Sequence, residues 1–213
     1  KHDQGMPILG DNAFQNGTAF PGRTKIHVEL KLNDQLIDMQ NLSFFGPGDI
    51  VGIDAREIVR TEPKHLVPDF PPQLFPFIEF DRPDFPWLFT PGKPDAGDRL
   101  LPWIVLVVLR KDDGKIITDV AKPSPELECD IKELPDLNES WAWVHAQYIG
   151  ASDTSQANIS EELATKPLQN VSRLICPRKL KPNEHYLACV VPTFKVTESK
   201  DQTGNVTSTL DLA

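Results

Sequence analysis

Residues 101–110 read LPWIVLVVLR, and from Trp103 to Leu109 every side chain is large and apolar. The run is rich in β-branched residues and far shorter than the roughly 18–20 residues that span a bilayer. It therefore predicts a central strand buried on both faces. KDDGK follows and predicts a hairpin turn, with Gly114 at a position of positive φ and KIITDV pairing back on the same strand. Residues 121–137 then read as a second, milder proline-rich link.

Upstream lies VPDFPPQLFPFIEFDRPDFPWLFTP (67–91), which carries PDFP at 68–71 and again at 83–86. Ten of the 20 prolines fall between Pro63 and Pro102. Each proline removes a backbone donor and pushes its predecessor toward extended geometry, so no helix passes through this belt. FPFIEF and PWLF are the short strands it leaves room for, and prolines in strands favour edges. The belt is expected to wrap a sheet rather than form its centre. Stiff proline-aromatic segments lose little entropy on ordering and suit preformed contact surfaces.

Nearer the start, TKIHVELKLN alternates, with Ile26, Val28, Leu30 and Leu32 on one side of a half-buried strand. Asn33-Asp34 turns the chain into LIDMQNLSFF as the second strand. GPGD (46–49) reads as a tight turn rather than a phosphate loop, because no third glycine and long helix follow. Asp54 caps a short helix, AREIVR.

Downstream, Ser140–Ile149 reads either as helix or as strand, with strand favoured by its aromatic residues. Residues 158–165 read as helix, PLQNVSRLICP as a short helix or turn, and EHYLACVVPTFKV as a strand near an edge. The expected fold is α+β, mainly β. It is a single compact domain over 24–198, with an antiparallel or mixed sheet, the belt around it and a few short helices. Residues 1–23 form an irregular arm and 199–213 a polar tail or linker.

Net charge is −9, and the only basic cluster is Arg173, Arg178, Lys179 and Lys181. Nucleic-acid binders need a strong positive stripe to replace condensed counterions, so this balance argues against one. No apolar run is long enough for a membrane span. Three cysteines (129, 176, 189) match no zinc spacing. They favour synthesis in a reducing, cytoplasmic compartment, with at most one disulfide, between Cys176 and Cys189. Six of nine asparagines begin glycosylation sequons, at 16, 41, 138, 158, 170 and 205. Asn138 and Asn158 also read as helix caps.

Catalysis finds little footing. No GxSxG motif is present, Cys129 sits among carboxylates that disfavour its thiolate, and the five histidines are scattered. Glu79, Asp81 and Asp84 lie near aromatics, as a glycosidase pair or a sugar cleft would require, or else as partners of Arg82 and Arg99. No catalytic residue, metal or cofactor is assigned. Candidate recognition residues are Arg82, Asp84, Phe85 and Trp87, the aromatics docking a partner where they are exposed, with Trp87 expected to be partly buried and structural first.

GPGDIVGIDAREIVRTEP, FPFIEFDRPDFPWLFTP, RLLPWIVLVV, SWAWVHAQ and SRLICPRKLKPNEHYLACVVPTF follow one another between residues 46 and 194. Together they resemble an uncharacterised bacterial family of large, multi-part proteins linked to phage-tail-like extracellular contractile injection systems. The resemblance implies a structural or recognition module, at the front of a longer chain and part of an extracellular particle. Its partners would be other protein subunits or the remainder of that chain. It implies no catalytic residues. The alternatives are a glycan-binding β domain stacking sugar on Trp87 or Trp143, and a hydrolase with Glu79 or Asp84 facing another acid in a cleft.

Overall fold

The structure, a computed structural model, describes residues 18–20, 25–43, 50–91, 93–122, 124–149, 155–166, 169–200 and 206–212. The GPGD turn and most of the N-terminal arm lie outside these residues. In chain order the first strands are Thr18–Phe20 (β1), Lys25–Leu32 (β2), Gln35–Ser43 (β3), Ile58–Glu62 (β4) and Phe77–Phe80 (β5). Next come Ile104–Arg110 (β6), Gly114–Ile117 (β7), Glu126–Cys129 (β8) and Val144–Gln147 (β9). The single α-helix among the described residues, Gln156–Thr165 (α1), is capped by Ser155 and precedes Val171–Ile175 (β10). Tyr186–Pro192 (β11), Phe194–Lys200 (β12) and Val206–Leu212 (β13) complete the order.

The domain is mainly β, and every ladder among the described residues is antiparallel. A four-stranded sheet runs β4-β5-β10-β9 and a three-stranded one β1-β13-β12. Three two-stranded ribbons pair β6 with β11, β2 with β3, and β7 with β8.

β6 is buried on both faces, as its composition requires. Ile104, Leu106 and Val108 enter the larger core with Phe80, Phe85, Trp103, Leu174 and Phe194. Val105, Val107 and Leu109 enter a second cluster with Leu127, Leu134, Leu137, Leu187 and Val191. Full burial of each such side chain contributes about 1.5–3 kcal/mol. Among the described residues, however, its ladder has one partner, β11, so β6 is central to the packing rather than to a broad sheet.

The turn after it differs from expectation. Lys111–Asp113 is a 3-10 turn, and Gly114 is extended, at φ −157°. A Cβ on Gly114 would lie 2.1 Å from Leu109 Cδ1, so glycine is required by close approach, not by handedness. β7 pairs with β8 instead of returning to β6, and residues 121–137 are therefore more than a link.

The belt does more than wrap. Its proline-free centre, FIEF, is an interior strand, with β4 on one side and β10 on the other. The prolines flank that ladder, so no hydrogen bond is lost to them. PWLF is not a strand: Phe85–Trp87 forms a 3-10 turn, with Pro86 among the fully buried side chains. Trp103 pins it, its Nε1–H donating to the Phe85 carbonyl at 2.7 Å and its backbone N–H to Pro86 at 2.8 Å. The Phe80 and Phe85 rings stack at 4.5 Å.

Asp54 caps only a 3-10 turn, Ala55–Glu57, before the chain extends as β4. Leu137–Trp143 is likewise 3-10, capped by Asp136 rather than Asn138, and strand begins at Val144. PLQNVSRLICP, expected as helix or turn, contains β10. Its inward positions are Ser172, Leu174 and Cys176, and Ser172 tolerates burial by donating to the Arg82 carbonyl at 2.6 Å. The stretch expected as a polar tail holds β13, whose alternating Val, Thr, Ser and Leu residues pair with β12 and β1.

Asn170 is fully buried, its Oδ1 accepting from the Ile149 N–H and its Nδ2 donating to the Lys166 carbonyl, so that sequon is closed in the folded state. Cys129, Cys176 and Cys189 are thiols, and Cys176 packs in the larger core. Reductant plus chelator is expected to leave the melting temperature unchanged. A fall of more than about 5 °C, above what 1 kcal/mol produces at this size, would show that a bond or metal holds the fold.

Candidate functional site

Phe85 is a core residue, 8% exposed, and offers no contact surface. Its turn faces inward because Trp103 and Phe80 close over it. Trp87 is half-buried, packed against the larger core, with Nε1–H 3.4 Å from the Leu100 carbonyl. Arg82 and Asp84 are exposed and pair with each other at 3.3 Å. The structure therefore brings together only Arg82 and Asp84 as a polar surface, with Trp87 anchored behind it. Trp87→Ala is expected to cost about 2 kcal/mol of folding stability, less than the 3–5 of a fully buried aromatic. A urea midpoint equal to wild type would make Trp87 free for recognition instead.

Register assembles a second surface that local sequence did not show. On the four-stranded sheet, Glu79 of β5 lies between Arg60 of β4 and Arg173 of β10. Its carboxylate is 9% exposed and accepts from Arg173 Nε at 3.0 Å and from Arg173 Nη2, with Arg60 at 3.9 Å. Both guanidiniums also lie over the Phe77 ring, at 4.7 Å for Arg173 and 5.4 Å for Arg60. Arg60 binds Glu62 as well, and Arg173 reaches Gln147 at 3.4 Å and lies opposite His145. Beside this row, Phe75 meets Trp143 edge-on at 5.9 Å. The carboxylate expected beside another acid is thus clasped by two guanidiniums rather than facing a second acid, as glycoside hydrolysis would require. Arg99 pairs with Asp95 at 2.7 Å and lies over the Trp141 ring, away from the belt carboxylates.

A third surface is the β2–β3 ribbon. Asn33 and Asp34, both at positive φ, make its tight turn. The strand expected to be half-buried is mostly exposed, with Leu30 54% and Leu32 62% open to solvent, and on the return strand Leu36 is 49% and Ile37 63% open. Among the described residues no other element packs extensively on this ribbon. Its charged side chains pair internally, Lys31 with Glu29 at 2.9 Å.

Nucleophilic or metal chemistry gains no support. The Cys129 thiol is pushed up by burial, then by Glu133 and Asp130. Burial likewise raises Cys176 and Cys189. Among the described residues no group of three His, Cys, Asp or Glu side chains is placed to hold a metal. No described helix is long and apolar enough to cross a membrane. In comparisons with known proteins, the chain matches no family model, no curated protein and no solved structure.

Proposed function

We propose that the chain is a non-catalytic structural and interaction module of a larger bacterial assembly, of the contractile-injection kind that its motifs resemble. The carrying observation is the β2–β3 ribbon, which leaves Leu30, Leu32, Leu36 and Ile37 in water and, among the described residues, has an unladdered edge on each strand. An isolated two-stranded ribbon is marginal alone, and open edges invite pairing with another chain. The occupant that fits is an extended segment of another protein subunit, apolar on the side it turns to the ribbon. The net charge of −9 favours a subunit with an electropositive surface.

The test is co-expression of the tagged chain with the genes flanking its own, followed by sedimentation of the purified material. The expected result is a complex of fixed stoichiometry that Leu30→Lys/Leu32→Lys disrupts while the melting curve stays as in wild type. A chain that remains monomeric beside all those products, or a double variant that assembles normally, overturns the proposal.

One observation favours glycan binding as the second reading. Phe75, Phe77 and Trp143 lie beside Arg60, Arg173 and Gln147, the mixture of rings and planar donors that sugars use. Trp143 is half-buried, so its exposed edge would carry the contact. Titration with oligosaccharides should then shift tryptophan fluorescence, and Trp143→Ala should abolish the shift. An unchanged spectrum removes this reading.

A further inference from the structure

We propose that Cys129 and Cys189 form a disulfide on two-electron oxidation, stapling the β7–β8 hairpin to the β6–β11 ribbon. The placement follows from register. Cys129 ends β8 opposite Gly114, and the missing side chain of Gly114 lets this end of the hairpin sit directly on Leu109 of β6. Cys129 accordingly packs against the cluster of Val105, Val107 and Leu109. Cys189 lies on β11 directly opposite Val107, so it projects from the same face of the ribbon. Charge on Cys129 also opposes ionisation of Cys189, after burial.

Cys176 is on the other side. It belongs to the core that receives Ile104, Leu106 and Val108, and its sulfur accepts from the Val108 N–H. Successive residues of a strand point to opposite faces, so β6 itself separates Cys176 from Cys189. The pairing considered from sequence, Cys176 with Cys189, is therefore blocked by packing. Cys129 and Cys189 are each partly exposed, within reach of a small oxidant, whereas Cys176 is buried.

With hydrogen peroxide as the oxidant the step balances. The Cys129 thiolate attacks one peroxide oxygen, the O–O bond breaks, and a sulfenic acid and hydroxide result. Cys189 then attacks the Cys129 sulfur and expels the sulfenic oxygen as water. Two thiols lose two electrons and two protons, and one peroxide becomes two waters. Because burial and the neighbouring carboxylates Glu133 and Asp130 disfavour the thiolate, the reaction is slow at neutral pH and faster in mild alkali. The pair stays reduced in a cytoplasm and closes on long exposure to oxidising surroundings. The chemistry stands independently of the assembly proposed above.

The 213-residue chain is treated with equimolar peroxide at mildly alkaline pH, quenched and mapped by non-reducing peptide mass spectrometry. Expected is an intramolecular Cys129–Cys189 link, loss of two of the three titratable thiols, and a melting temperature raised by about 5 °C or more, as closure of a long loop produces. Cys129→Ser and Cys189→Ser each remove the link, and Cys176→Ser retains it. Links through Cys176, intermolecular dimers, or over-oxidation of Cys129 without a link would overturn the proposal. Failure here leaves the ribbon-docking proposal untouched, since that one is read by complex formation.

Discussion

Val107→Asp is expected to yield no soluble folded protein. Val107 is 1% exposed at the middle of β6, in the cluster with Val105 and Leu109. A carboxylate there loses its water and meets only aliphatic carbon and the Cys189 side of β11. Burying an unpaired charge costs several kcal/mol even after the group protonates, and a domain holds only about 5–15 in total. Val107→Ala, which merely leaves a cavity, should fold with a loss of about 2 kcal/mol. The pair separates a charge effect from a volume effect. Solubility on expression and cooperative urea unfolding are the measurements, and a soluble Val107→Asp protein with a near-normal midpoint would contradict the double burial of β6.

Trp103→Ala is expected to cost about 4–5 kcal/mol, at the top of the range for large-to-small core changes. The ring contacts Phe85 at 6.0 Å and Phe89 edge-on at 5.1 Å, so its removal opens a cavity beneath the 3-10 turn. The indole N–H is also the shorter of two donors to the Phe85 carbonyl, and losing it leaves that oxygen only the longer bond from the Leu88 N–H, at 3.3 Å. Trp103→Phe keeps most of the volume and loses the donor, so about 1–2 kcal/mol is expected from the hydrogen bond. Denaturant midpoints at constant slope give both values. A Trp103→Ala midpoint within about 1 kcal/mol of wild type would mean that the turn holds itself.

The elements legible in the sequence were those whose residues carry one uniform signal. Trp103–Leu109 is apolar throughout and can only be buried; α1 was legible as a helix, although it starts at Gln156 behind a Ser155 cap, with no acidic residue in its first turn, rather than behind Asn158. β10 was hidden because its inward residues include Ser172, whose burial depends on a carbonyl contributed by residue 82. The belt misled in a specific way: proline rules act on single positions, and FIEF contains none. Gly114 was rightly singled out but for the wrong reason, since its constraint comes from Leu109 in space rather than from its own φ.

The site was less legible than the fold. Arg82, Asp84, Phe85 and Trp87 are neighbours in sequence, and only two of them share a surface. The Arg60–Glu79–Arg173 row joins residues 94 positions apart, a proximity set by strand register alone. Exposure of Leu30 and Leu32 was equally invisible, because alternation tells which side chains share a face and not whether anything covers it.

The three-stranded sheet has a mechanical consequence. Thr18 pairs with Leu210, and Phe194 pairs with Leu212, so both ladders begin at the same end of β13. Tension applied between residues 18 and 212 therefore loads one pair of hydrogen bonds at a time, as a zipper does, rather than shearing all of them together. β1 peels first, then β13 peels from β12, and extension is released at low force. Only then does the force on Thr193, whose N–H is tied to the Trp103 carbonyl at 2.9 Å, rise above that unzipping level. The sheet thus acts as a slack element in series with the core, so that until both ladders are spent the packing around Trp103 carries no more than the low force at which they unzip.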